Sequence, residues 1–324
     1  ILDANDNPPE FSQLTYSAAV NEGALPGTII FQLKILDADT DKDNTAVFAI
    51  TGGDTQGRFQ IKQNGELYVA RTLDREATAH YRLDVTASDG LFVTKCRVSI
   101  EILDDNDSPP VCGQYHYRVQ VSEAITPGTE IITVSADDAD EGQNAEQVYS
   151  LSGESTGMFS IDESSGQVTS ALFLDREDEP NHILVVRVED ADNPAWFCES
   201  KVHIELLDAN DNKPDWDTNG FSTSVREDAK VGQILAKVHA ADLDLGDNRR
   251  ITYTFLDSAN GHFEMNPRNG IVSLAKGLDR ERVDLYNLTV RAMDAGRPRL
   301  TALTQLMVRV LGKQNGMVVN TVLF

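Results

Sequence analysis

Basic residues are scarce in this chain. Lys and Arg number 28 against 52 Asp and Glu, which leaves a formal charge of −24. A nucleic-acid binder needs a basic surface to displace phosphate counterions, so that class is excluded, and an anionic membrane surface would repel the chain. Long apolar runs are missing too. Every hydrophobic stretch is strand-length and broken by charge, well short of the ~20 residues of a membrane-spanning helix, and no signal peptide opens the chain. The sequence starts in mid-motif and reads as a fragment of something longer, so these missing signals say nothing about location. The three cysteines are too few for a disulfide scaffold, and their odd number leaves at least one thiol unpaired within the chain. No segment carries a convincing amphipathic helical period. What remains is ordinary globular composition, 40% hydrophobic over 324 residues, enough for two or three domains at roughly 100–200 residues each.

The abundant feature is acid held in register. "ILDANDNPPEF" begins at Ile1, "ILDDNDSPPVC" at Ile102 and "LLDANDNKPDW" at Leu206. With Asp3, Asp104 and Asp208 as origins, the spacings are 101 and 104 residues. Nineteen residues on stands an acid in each copy: Glu22, Glu123, Glu227. Asp-x-Asp follows at Asp37/Asp39, Asp138/Asp140 and Asp242/Asp244, and Asp-Arg-Glu at Asp74 to Glu76, Asp175 to Glu177 and Asp279 to Glu281. A last Asp stands at Asp89, Asp190 and Asp294. The three additional residues of the second copy fall after Asp190, near "DNPAWF". Acids outside the register, such as Asp43, Asp162 and Asp217, read as solvated surface charge; those inside it are not explained that way.

Between the acids the pattern is β. "YRLDVTA", "ILVVRVE" and "YNLTVRA" alternate or run apolar over strand length, as do "SIEILD", "HIELLD" and "MVRVLG". "FQIKQNGELYV", "FSIDESSGQVTS" and "FEMNPRNGIVSL" predict hairpins turning at Gly65, Gly166 and Gly270. Several short strands per repeat of ~100 residues predict one all-β sandwich per repeat, large enough to hold its own core. The boundaries expected are 1–105, 106–209 and 210–311, with a divergent tail over 312–324.

Carboxylates crowded without partners repel one another, and the few bases cannot neutralise them. A hydrolase needs one acid–base pair in a cleft, not the same stations on every domain. Many carboxylates with amide and backbone oxygens form the ligand set of a hard cation, and Ca²⁺ takes roughly 6–8 oxygens. Neither His nor Cys joins the register, which argues against zinc. The Asp-x-Asp segments are not EF-hands. That loop needs Gly at its position 6 and Glu at position 12, where this chain has Lys42, Gln143 and Asp247, then Phe48, Tyr149 and Tyr253.

"DANDNPP", "DDNDSPP", "DANDNKP", the three "LDRE" and "DADEGQN" resemble the calcium motifs of cadherin repeats over about residues 1–311, most like the Fat group of very large cadherins. The resemblance implies seven-stranded Greek-key sandwiches with calcium between consecutive repeats, typically three ions per junction. For the first junction it implies Glu22, Asp74 and Glu76; then Asp105 (backbone oxygen), Asn106, Asp107 and Ser108 (backbone oxygen); then Asp138, Asp140, Asn144 (backbone oxygen) and Asp190. For the second it implies Glu123, Asp175 and Glu177; Ala209, Asn210, Asp211 and Asn212; then Asp242, Asp244, Asn248 and Asp294. Ser108 departs from the family Asn, a mild change if that station gives only its carbonyl oxygen. Asn5, Asp6, Asp37, Asp39 and Asp89 form a partial set awaiting a preceding repeat, where Asp43 replaces the Asn of the other copies. Glu227, Asp279 and Glu281 form another partial set, since "LGKQNG" offers no carboxylate at Gly312, Lys313 or Gln314, and a full cluster is not expected there. Six ions at two junctions would bring +12 against the −24.

The resemblance also implies that Cys112 and Cys198, at the starts of the first and last strands of the second repeat, lie at one end and pair, leaving Cys96 free. Trp216 invites comparison with the swapped Trp of some adhesive cadherins but occupies the station of Phe11 and Cys112, so a core or cap aromatic is expected. Trp196 is read as packing, with an exposed contact as the alternative. "NLT" at Asn287 is an acceptor for N-glycan, turned outward by the inward alternation of Tyr286, Leu288 and Val290, whereas "NDS" at Asn106 faces the cation set and is expected bare. "GESTG" (Gly153 to Gly157) matches a nucleophile elbow, but it precedes a hairpin rather than a helix, and Ser155 has Asp54 and Ala259 at its station. The six histidines share no register and read as surface or strand residues.

The chain is therefore expected to be no enzyme. The leading reading is a calcium-dependent cell–cell adhesion or recognition ectodomain, lying on the extracellular face of the plasma membrane. Its partner would be another cadherin ectodomain in cis or trans, not nucleic acid or a small substrate, and it would reach the membrane only through parts absent here. The competing reading is a passive mechanical spacer. Bacterial polysaccharide-binding modules of similar type and a metal-dependent hydrolase rank below both.

Overall fold

The computed structural model describes residues 4–39, 46–153 and 155–313. It contains the same architecture three times. In the first repeat the segments are Glu10–Phe11, Thr15–Asn21, Ile29–Gln32, Ile35–Leu36, Val47–Gly52, Phe59–Ile61, Glu66–Val69, His80–Ser88 and Val93–Leu103. These nine count as seven strands, because the first and second strands are each interrupted once. Glu10–Phe11 pairs antiparallel with Ile35–Leu36, whereas Thr15–Asn21 pairs parallel with Val93–Leu103. One sheet has four strands (Thr15–Asn21, Val93–Leu103, His80–Ser88, Val47–Gly52), and the facing one has three (Ile29–Gln32, Glu66–Val69, Phe59–Ile61). The second and third repeats have the same orders. Two 3₁₀ turns, Gly142–Ala145 and Thr156–Met158, are the helical content among the described residues.

Alternation makes these strands. His80–Ser88 and Val93–Leu103 bury every second residue, which places Leu83, Val85, Val98 and Ile100 between the sheets. Leu184, Val186, Val202 and Ile204 do so in the second repeat, and Leu288, Val290, Leu306 and Val308 in the third. Each such side chain contributes about 1.5–3 kcal/mol on burial, so every repeat has its own core. The predicted hairpins form at Gly65, Gly166 and Gly270.

The parallel pairing puts chemistry at one end of each sandwich. The first long strand and the last end side by side, at Asn21 and Leu103, Ser122 and Leu207, and Arg226 and Leu311. The next residue on the first strand is Glu22, Glu123 or Glu227, and its N–H bonds to the last strand's terminal carbonyl at 2.9–3.1 Å. The glutamate therefore leaves the sheet beside the emerging linker. Beyond the linker, Val111–Cys112 pairs antiparallel with Ala136–Asp137, and Asp215–Trp216 with Ala240–Ala241. That pairing sets the linker's far end against the next Asp-x-Asp.

Cys112 and Cys198 form a disulfide with Cα atoms 5.7 Å apart. Cys96 is free and buried, and burial pushes its thiol up to about 11, so it is not a reactive thiolate. Trp216 packs into the third core, its ring 5.9 Å from both Phe221 and Tyr253. Trp196 is half-buried, in the loop after Asp190. Asn287 is exposed, opposite Met307 across the strand pair.

Candidate metal centres at the repeat junctions

Each junction is floored by a buried glutamate. Glu22 accepts the N–H of Arg75 (2.6 Å) and of Asp105 (3.0 Å). Glu123 accepts those of Arg176 and Ala209, both at 2.6 Å. These bonds tie the Asp-Arg-Glu turn and the linker to one carboxylate. Asp74 and Asp175 close that turn, accepting the N–H of Ala77 (2.7 Å) and of Asp178 (3.1 Å).

The linker then engages the next repeat. The Asn106 amide donates to Asp190 at 3.1 Å, and the Asn210 amide to Asp294 at 3.2 Å. Ser108 N–H donates to Asp140 and Asn212 N–H to Asp244. Asp138 and Asp242 each accept the N–H of the second aspartate of their pair, at 3.1 Å. Asn144 and Asn248 turn their amides to Asp104 (2.8 Å) and Asp208 (2.9 Å).

Carboxylates from separate elements converge. Oxygens of Glu22, Glu76 and Asp104 lie within 4.8 Å of one another, as do those of Glu123, Glu177 and Asp208. A further group joins Glu177 of the second repeat, Asp211 of the linker and Asp244 of the third repeat. Asp140, Asp190, Asp242, Asp244 and Asp294 are buried. Burial and then the neighbouring carboxylates push Asp107, Asp211 and Asp244 above the ordinary range.

Several buried oxygens have no partner: Asn106 Oδ1, Asp138 Oδ2, Asp140 Oδ1 and Asp190 Oδ2 at the first junction, then Asn210 Oδ1, Asp242 Oδ2 and Asp244 Oδ2 at the second. Leaving a buried acceptor unsatisfied is costly, more so when it is charged. An all-oxygen donor set with orphaned buried acceptors is compatible with a hard divalent cation, which would supply the missing positive charge.

The partial sets are also built. At the amino end Asn7 binds Asp39 through its N–H (2.9 Å) and amide (2.6 Å), and that amide also reaches Asp6 (2.8 Å). Asp37 accepts Asp39 N–H at 3.0 Å, and Asn5 hydrogen-bonds Asp89. Asp3 and Asp43 lie outside the described residues. At the carboxyl end Glu227 accepts the N–H of Arg280 (3.2 Å) and of Lys313 (3.0 Å), and groups with Asp279 and Glu281. The glutamate floor thus forms where the linker carboxylates are lost at Gly312 and Lys313; Gln314 lies outside the described residues.

Two features escaped the sequence reading. Asp104 and Asp208 served only as origins of the register, yet Asp104 gathers three donors, Arg75, Glu141 N–H and Asn144, and Asp208 gathers Leu245 N–H and Asn248 with Arg176 as an ion-pair partner at 2.7 Å. Their identical stations in all copies were the available signal. The second is the Asn that Ser108 replaces. Asn212, like Asn7, uses its side chain to bridge two carboxylates, Asp211 (2.8 Å) and Asp244 (3.0 Å). Ser108 cannot span Asp107 and Asp140, so the change is more than a conserved carbonyl. Ser108→Asn is expected to tighten cation binding at the first junction roughly three- to tenfold, the worth of about one net hydrogen bond. Calcium titration of the variant against the parent chain checks this; unchanged affinity would leave the bridge without a role.

The serine of "GESTG" is not a nucleophile. Ser155 opens the turn at Thr156–Met158 and is buried. Its Oγ meets His182 Nδ1 at 3.3 Å, and Glu179 lies 3.6 Å from that same nitrogen. A relay needs serine and carboxylate on opposite ring nitrogens, and here Nε2 is buried with no partner. His182 is a strand residue, as expected, but it lies in the core, 2% exposed. It holds the place of Tyr81 and Tyr286, each edge-on to a phenylalanine as His182 is to Phe159.

Burial pushes the His182 imidazole below its ordinary 6.5, against an opposing pull from Glu179. The folded repeat therefore resists a proton that the unfolded chain accepts. Stability is full above the unfolded pKa and falls as pH drops through about 6.5 toward the lower folded value. His182→Tyr is expected to flatten this loss. Denaturation of the second repeat at pH 7.5 and 5.5 in saturating calcium checks it, and equal pH slopes for variant and parent would refute it.

A model of the cadherin domain matches residues 16–103, 117–207 and 221–311. The chain belongs to the cadherin family. It is 39% identical over 311 residues to the Fat-like cadherin-related tumor suppressor homolog of Drosophila melanogaster, and 38% over 316 residues to protocadherin Fat 1 of Homo sapiens. Each match covers 96% of this chain and 7% of the relative. The crystal structure of mouse cadherin-23 EC22-24 superposes with a TM-score of 0.71 at 31% identity, covering 95% of this chain and all of that one. These are Fat-like cadherin ectodomain repeats, of a non-enzymatic family.

Proposed function

We propose that the chain is a run of three repeats from the extracellular rod of a cell–cell adhesion or recognition receptor, and that calcium at its two internal junctions fixes the angle between neighbours. The carrying observation is the group Glu177, Asp211 and Asp244, whose oxygens lie within 4.8 Å although they come from one repeat, the linker and the next repeat. Such a group repels itself unless a cation sits in it, and a cation there joins two domains. The proposed boundaries fall at 105/106 and 209/210, inside the linkers. The partner proposed is a second cadherin ectodomain in cis or trans, and the setting is the extracellular face of a plasma membrane in tissue polarity or growth control.

Limited proteolysis with a broad-specificity protease tests the calcium reading. Cleavage at 104–108 and 208–213 is expected to be slow in calcium and fast in chelator; equal rates would sink it. Bead aggregation with and without calcium separates an adhesive segment from a spacer.

A further inference from the structure

The Asp-Arg-Glu triplet carries an arginine in all three repeats, Arg75, Arg176 and Arg280. A cation is an odd residue to plant in a cation site. Arg75 is nevertheless 8% exposed and engaged along its whole guanidinium. Its Nε donates to Asp104 at 2.5 Å and Nη1 to Glu141 at 2.9 Å. Nη2 donates to Glu76 and to the carbonyl oxygen of Ala139, the latter at 2.6 Å. Glu76 belongs to its own repeat, Asp104 to the linker, and Ala139 and Glu141 to the next repeat. One junction on, Arg176 Nη2 reaches Glu177, Asp208 at 2.7 Å and the carbonyl oxygen of Leu243 at 3.2 Å. Ala139 and Leu243 hold the same station, the middle of Asp-x-Asp.

We propose that the arginine of Asp-Arg-Glu is an interdomain clamp, fastening its repeat to the next through the neutral carbonyl at the centre of the following Asp-x-Asp. A counter-ion present only to balance carboxylates has no reason to reach a backbone carbonyl across the junction, and here it does so twice. The clamp is completed by Asp104 and Asp208. Each receives the arginine from one side and, from the other, an N–H and an asparagine amide of the next repeat. The clamp shares Glu76 and Glu177 with the proposed calcium ligands, but its contacts to Asp104, Asp208 and the carbonyls of Ala139 and Leu243 fall on groups outside that ligand set, so it acts beside the calcium cluster. At the first junction lysine cannot replace it, because one ammonium lacks the planar fork by which Nε, Nη1 and Nη2 of Arg75 serve four acceptors on both sides; Arg176 works through Nη2 alone, its Nε buried without a partner. The ion pair to Glu141 is an addition specific to the first junction, where the second has Leu245; the Glu141 side chain is 70% exposed, so screening leaves it little weight.

Hydrogen exchange on the full chain tests the clamp, in chelator and in saturating calcium. In chelator, Arg75→Gln is expected to speed exchange at Ser108 and Glu141 about tenfold or more, the loss of charge-assisted hydrogen bonds, while Val98 and Val202 in the cores stay protected. Arg75→Lys should show the same loss. Arg176→Gln should move only Asn212 and Leu245, at the second junction. Unchanged junction exchange in chelator for both glutamine variants overturns the proposal, as does full rescue by lysine. Tighter calcium binding with unchanged junction exchange overturns it too, since that marks a mere counter-ion. A chelator-arm difference in a chain that proves to bind no calcium upholds the clamp and removes only the calcium reading.

Discussion

Glu123→Ala is expected to weaken calcium binding at the second junction by at least about a hundredfold and to leave the first junction intact. Glu123 is 3% exposed and each of its carboxylate oxygens accepts a backbone N–H, of Arg176 and of Ala209, at 2.6 Å. A hydrogen bond to a buried charged group contributes about 1.5–3 kcal/mol. Losing two frees the Asp-Arg-Glu turn and the linker together, and a hundredfold in affinity is about 2.7 kcal/mol. Glutamine is no remedy, because its NH₂ would face one of the two N–H donors. Glu22 offers the internal control, with the same two bonds to Arg75 and Asp105 one junction earlier. Proteolysis in calcium should cut Glu123→Ala at 208–213 and spare 104–108, and Glu22→Ala should give the reverse. Cutting at both linkers in either single variant would mean that the junctions do not bind independently.

That independence follows from topology. The glutamate floor exists because the first long strand runs parallel to the last and both end together, so each sandwich carries half a site at its exit. The other half, Asp-x-Asp with the closing Asp190 or Asp294, stands at the entrance of the next sandwich, where the linker pairs back along Ala136–Asp137 or Ala240–Ala241. A tandem array built this way repeats the same acidic groups at both ends, which is why Asn5 to Asp89 and Glu227 to Glu281 form partial sets of the same design.

The two long strands of each repeat and the acid stations were legible for one reason: both are periodic, the strands with period two and the acids with the length of a repeat; the count of seven strands came only with the family resemblance. The interruption of the first strand was not, since Glu10–Phe11 and Thr15–Asn21 read as one run until their partners are known. Arg75 and Arg176 were invisible for a different reason. In a chain so acidic, a base flanked by Asp and Glu looks like local charge balance, and no sequence pattern announces a contact to the carbonyl of a residue 64 or 67 positions away. At Ser108 the sequence reading weighed only the backbone carbonyl, which survives the change; the amide bridge that Asn212 makes between Asp211 and Asp244 depends on a fold-level neighbour that a linear reading does not show. His182 broke the pattern because its station is aromatic in the other repeats, and a single histidine gives no register by which to notice it.

Gly166→Ala should be the most destabilising single-methyl change in the second repeat, where Gly128→Ala provides its control. Both glycines have positive φ, 69° and 88°, and an L-residue there costs about 1–2 kcal/mol. A Cβ on Gly128 would meet nothing within 4 Å. A Cβ on Gly166 would collide with the carbonyl oxygen of Val134 and come within 2.8–2.9 Å of the Tyr149 ring. Neither neighbour can yield cheaply. Val134 is fully buried and its N–H bonds Gly166 O at 3.0 Å, and the Tyr149 hydroxyl holds Ala136 N–H at 3.2 Å. The hairpin glycine is thus also the point where the three-stranded sheet closes onto the strand leading to Asp138 and Asp140. Gly128→Ala is expected to cost about 1–2 kcal/mol and Gly166→Ala at least about 1–3 kcal/mol more, by analogy with overpacked cores. Exchange of the Val186 and Val202 amides in the intact chain reads the stability of this repeat alone. Equal losses for the two variants would show that φ, and not the packed strand behind Gly166, sets the requirement for glycine.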